Sequence, residues 1–138
     1  MSEENESLIH RYFDEILSRN NLAAAGELIA PDVIFHPLEI HGLENFMQYV
    51  SVLHNAFPDL NFVVEDEVNN ADKSAVRFTM RGTHKGEFRG ISASNNQVEI
   101  SGIDFFRIAD NRIKEIWVSL DTLSFMQQLG AATSPENS

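Results

Sequence analysis

The chain has 138 residues and a hydrophobic fraction of 43%, which suits a single domain, 1–138, enclosing one core or a core and a pocket. Its formal charge of −11, with ten Lys and Arg scattered along the sequence, repels polyphosphate and argues against a nucleic-acid partner. The absence of cysteine rules out disulfides, thiolate metal sites and a cysteine nucleophile, and no apolar run approaches the roughly 20 residues that span a bilayer.

Leu8, Ile9, Tyr12, Phe13, Ile16 and Leu17 recur with helical period behind an acidic first turn, predicting a helix from Glu4 to Arg19. The same acidic opening lacks the basic and apolar regions of a secretory signal, so a cytoplasmic location is expected. Asn20 and Asn21 can cap a second helix, Leu22 to Ala30, that Pro31 stops. Val33 to His36 reads as a short strand broken by Pro37, and Gly42 precedes a third helix carrying Phe46, Tyr49, Val50, Leu53 and Phe57.

After Pro58-Asp59 the period changes to two: Leu60, Phe62 and Val64 alternate, as do Val76, Phe78 and Met80. Asn69-Asn70-Ala71-Asp72, Asn95-Asn96 and Ala109-Asp110-Asn111-Arg112 supply turn residues, so antiparallel neighbours are expected. Asp121 can cap a last helix, Thr122 to Leu129, with Gly130 beyond it and a loose tail from Ala131 to Ser138. Helices followed by a meandering sheet define an α+β layout.

Val98, Ile100, Gly102, Asp104, Phe106 and Ile108 share one strand face, which makes Asp104 a candidate buried acid. Burial raises a carboxyl's pKa and fits it to donate a hydrogen bond to a carbonyl or to act as an acid near neutrality. The alternative is that Asp104 merely satisfies His84, a tyrosine hydroxyl or a water. Ile103 and Phe105 lie on the opposite face and suit a second subunit, so a homodimer is expected, with packing inside one subunit as the alternative. His36, Glu39 and His41 cluster before the third helix, yet with His84 they fit neither a helical nor a single-strand ligand spacing, and no metal is expected. No nucleophile elbow, phosphate loop or dinucleotide fingerprint occurs.

The run Gly-Thr-His-Lys-Gly-Glu-Phe-Arg-Gly at 82–90, Arg107-Ile-Ala-Asp-Asn-Arg-Ile113, Trp117 with Asp121, and Gln128-Leu-Gly130 resemble the SnoaL-like polyketide cyclase and ester cyclase family of the nuclear transport factor 2-like superfamily. The resemblance implies a cone-shaped, strongly curved antiparallel sheet packed against three N-terminal helices, with a short C-terminal helix. It also implies an enclosed pocket for a small apolar ligand and no cofactor. The pocket expected on that fold involves His36, Tyr49, Phe88, Phe106, Trp117 and Val118, although Trp117 could instead serve the subunit contact. Counting from the 107–113 motif, the cyclases' catalytic acid falls on Val118 and their assisting histidine on Asp104. Valine cannot transfer a proton, so their mechanism does not carry over as it stands.

Ketosteroid isomerases and limonene epoxide hydrolases of the same superfamily keep a carboxyl near the place of Asp104, but the epoxide hydrolases' arginine falls here on Gly102. Two functions remain open from the sequence. One is a cofactor-independent cyclase, isomerase or hydratase acting on a small apolar carbonyl compound, with Asp104 as acid/base and His84 or Tyr49 assisting. The other is a non-catalytic binding or accessory domain in which His84 and the glycines around it are structural.

Overall fold

Ser2–Arg11 forms helix α1, which continues into a π-helical segment, Tyr12–Ser18, in the computed structural model, which describes residues 2–130. The apolar set Leu8, Ile9, Tyr12, Phe13, Ile16 and Leu17 is buried along this rod, as its period predicts. The Asn21 side chain accepts the Ala23 N–H at 3.2 Å and caps α2, Leu22–Leu28. This helix ends two residues before the predicted stop, and Pro31 lies inside strand β1, Ile29–His36. Pro31 falls between the β1 positions where pairing is irregular, and an irregular stretch tolerates a residue without an N–H.

Strand β2, Ile40–His41, is followed by helix α3, Leu43–Ala56, and then by β3, Asn61–Asn69, β4, Lys73–Thr83, β5, Gln97–Ala109, and β6, Arg112–Leu120. Helix α4, Thr122–Gln128, closes the described chain with Asp121 accepting the Ser124 N–H at 3.1 Å. The strands order as β2-β1-β6-β5-β4-β3, antiparallel except for the parallel β1–β6 pair. The expected α+β arrangement is therefore present, with β1 returning alongside the last strand. The expected loose tail at 131–138 lies outside the described residues.

The inner sheet face carries Val76, Phe78, Met80, Val98, Ile100, Phe106 and Ile108, all buried. Phe13 of the π-helical segment meets Phe62, Phe78 and Phe106 at ring separations of 6.1, 5.5 and 6.1 Å, which ties the first helix to the concave side. The outer face bears a row of successive register partners: Val68, Ala75, Phe105, Trp117 and His36. Val68 is 72% exposed and Phe105 40%, with Ile103 beside them at 52%. The edge strand β3 is interrupted by a bulge between Val64 and Asp66 in its acidic stretch Glu65-Asp66-Glu67.

Candidate active site

Asp104 stands in the middle of β5, in register with Val76 of β4 and Val118 of β6. Strand alternation turns it inward, where it is 2% exposed in the wall of a cavity of about 150 Å³. The rest of the wall is mostly apolar: Phe35, Phe46, Phe62, Phe78, Met80 and Phe125 are among its residues. Among the described residues Oδ1 of Asp104 has no hydrogen-bond partner, and burial pushes its carboxyl well above the usual carboxylate range. Neither His84 nor a tyrosine is hydrogen-bonded to it.

Two phenols share the cavity. Burial, with Asp104 adding to it, raises the Tyr12 hydroxyl well above its ordinary pKa. Burial also raises Tyr49, with Asp104 adding to the rise and the Arg89 guanidinium opposing it. Both hydroxyls are therefore within electrostatic reach of the carboxyl. A neutral phenol donates a hydrogen bond, which gives the site donors as well as an acid. Helix α3 places Tyr49 on the cavity side, where its ring packs 5.4 Å from that of Phe35.

Tyr49, Phe88, Val118 and Asp104 thus come together around one space, whereas four other expected site residues do not line it. Phe106 is fully buried beneath the cavity against Tyr12, with ring centroids 5.4 Å apart. Trp117 lies on the outer face, 5.8 Å from the Phe105 ring and stacked 5.2 Å from that of His36, because its neighbours Ile116 and Val118 take the inward positions. His36 shares that outer face, its Nδ1 bonded to Glu39 and its Nε2 to Glu115, each at 2.6 Å. Its pKa is raised, first by Glu115 and then by Glu39. His41 approaches Glu39 at 3.8 Å, so these surface groups form a small ionic cluster remote from His84.

His84 is fully buried with its ring 5.6 Å from that of Phe57. Nδ1 lies 3.0 Å from Ser94 Oγ and 3.3 Å from the Ser94 N–H nitrogen, while Nε2 has no partner among the described residues. The histidine anchors the 82–96 loop rather than facing the cavity. Gly102 accounts for the missing arginine: a Cβ there would lie 2.5 Å from Phe78 Cζ and 2.8 Å from Leu120 Cδ2, so aromatic and aliphatic side chains fill that place.

Sequence reasoning missed Arg89, which lines the cavity with its Cζ 5.1 Å from the Phe88 ring centroid. The one available signal was Gly90 between apolar Phe88 and Ile91, a turn residue in an otherwise apolar setting, since arginine is not a residue that marks a two-residue hairpin. Exposed Pro37, Leu38, Arg89 and Thr122 form the cavity's rim.

A six-stranded curved sheet over N-terminal helices, enclosing a carboxyl-bearing apolar cavity, defines a protein of the nuclear transport factor 2-like fold. The chain belongs to the SnoaL-like polyketide cyclase family, whose model matches residues 7–129. Its backbone is similar to that of TsrD from Streptomyces laurentii, at 22% identity and a TM-score of 0.88 over 96% of this chain and 98% of that one. A candidate SnoaL-like polyketide cyclase from Jannaschia sp. CCS1 is 26% identical with a TM-score of 0.86, covering 95% and 94% of the two chains. IdmH from Streptomyces antibioticus, a candidate polyketide cyclase, is 28% identical with a TM-score of 0.77, covering 91% of this chain and 98% of its own. No curated protein matches the sequence significantly.

Proposed function

We propose that the protein is a cofactor-independent isomerase or cyclase for a small apolar carbonyl compound, with Asp104 as its acid/base. The observation that carries this reading is the unpartnered Oδ1 of a carboxyl buried in an apolar cavity. A group left so costs folding energy without a structural return, and such a cost is commonly met at reactive sites. Held neutral, the carboxyl gives its proton to the substrate's carbonyl oxygen, and as a carboxylate it removes a proton from the adjacent carbon. The product is the enol and the acid is regenerated. Reversal with protonation at a different carbon moves the double bond; attack of the enol on a second electrophile closes a ring. The Tyr12 hydroxyl, which lines the same cavity, supplies a hydrogen bond to the same oxygen as its charge develops. At about 150 Å³ the cavity matches one known to accommodate a benzene-sized ring, so the reacting part of the substrate is of single-ring size.

Proton exchange in D2O tests this without knowledge of the natural substrate. The wild-type protein is expected to accelerate exchange of protons next to the carbonyl of single-ring ketones, followed by NMR. Asp104→Asn should slow that exchange by about a hundred-fold to ten-thousand-fold while retaining ketone binding. Ketone binding without exchange by the wild type would instead identify a binding domain.

A further inference from the structure

The cavity rim carries a cation that the acid–base chemistry does not use. Phe88 and Ile91 exchange backbone hydrogen bonds of 2.9 Å in both directions, closing a hairpin whose two central residues, Arg89 and Gly90, have φ of 50° and 81°. Positive φ at both positions is the type I′ arrangement, which favours Asn, Asp or Gly at its first place. Arginine there breaks the local rule, and backbone strain of this kind persists where its surroundings or its function require it. The turn delivers the guanidinium over the Phe88 ring, at the mouth of the cavity that Tyr49 also lines.

Among the described residues Arg89, like Arg77 and Arg112, forms no ion pair with a carboxylate, whereas Arg11, Arg19, Arg81 and Arg107 each have at least one. Of these three, Arg89 is the one that lines the cavity. Asp104, the carboxyl of the cavity wall, forms no ion pair with it, and burial disfavours its charged form. A guanidinium and a phenol converge at the mouth of an apolar space with no protein anion to satisfy them. One cation and one neutral donor balance a single negative charge, and the surrounding acidic surface disfavours a dianion.

We infer that Arg89 and the Tyr49 hydroxyl clamp a carboxylate at the cavity mouth, so that the ligand is an oxo acid of single-ring size whose apolar body enters toward Asp104. This deepens the proposed function by naming a substrate class, and it rests on the cavity being the ligand site. Phenylacetate and its uncharged counterpart phenylacetamide, titrated calorimetrically into the full-length protein, probe the clamp directly. The wild type is expected to bind the acid at least about tenfold more tightly than the amide, the scale of one charge-assisted hydrogen bond. Arg89→Asn suits the turn, should keep or raise the melting temperature, and should level the two affinities. Arg89→Lys keeps the charge without the fork and should retain part of the preference, which a damaged fold would not. Asp104→Asn should leave the preference intact, so failure of the exchange chemistry and failure of the clamp read out separately. Equal affinities in the wild type, a preference surviving Arg89→Asn, or no binding of either compound at millimolar concentration would overturn the clamp.

Discussion

Asp104 keeps in the folded chain a proton that an unfolded aspartic acid releases near its ordinary value of 3.8. The folded state therefore binds more protons than the unfolded one above that pH, and stability falls as pH rises from 3.8 toward the raised value. Each pH unit across the window removes up to about 1.4 kcal/mol. Asp104→Asn cannot ionise, so its melting temperature should gain on the wild type as pH rises above 3.8, by about 4 °C per unit until the raised value is reached. A constant difference in scanning calorimetry would refute the buried neutral acid. His36 runs in the same direction: its raised pKa gives stability that is present below 6.5 and lost as pH climbs through its folded value. The difference between variant and wild type, rather than the wild-type curve, therefore isolates Asp104.

At the scale of elements, the centre of the sheet is tuned around one missing side chain. Phe78 and Leu120 close over Gly102, so Gly102→Ala forces both away from β5; such overpacking typically costs about 1–3 kcal/mol. Thermal unfolding should register that loss, and because Phe78 also lines the cavity, ketone affinity should drop with it. Helices and the long hairpins were legible in the sequence because each follows a local period with its own turn residues, and alternation alone found the inward Asp104. The parity that turned Asp104 inward would also have turned Trp117 outward, had β6 been counted from Ile116 and Val118. The pairing of β1 with β6 was not legible, since it joins residues some eighty positions apart and Pro31 looks locally like a helix stop. Arg89 escaped because a two-residue hairpin has no periodicity to read.

For the whole molecule, the outer row Val68, Ala75, Phe105 and Trp117, with Ile103 beside it, is a continuous apolar stripe across four strands. We expect a second copy to cover it, since a stripe that is its own counterpart suits two-fold packing. Light scattering should return twice the 15.6 kDa chain, and Phe105→Glu should shift the mass toward one chain while leaving ketone binding unchanged. A monomeric wild type at working concentration would defeat the expectation. The bulged, acidic rim of β3 then gains a meaning for growth. A strand that tried to extend the sheet there would meet a bent ladder and three consecutive carboxylates, and an identical copy would bring three more. Stacking face to face would close after two chains, whereas lateral addition would go on indefinitely; at the β3 edge the rim is thus expected to favour the finite mode over fibril-like growth.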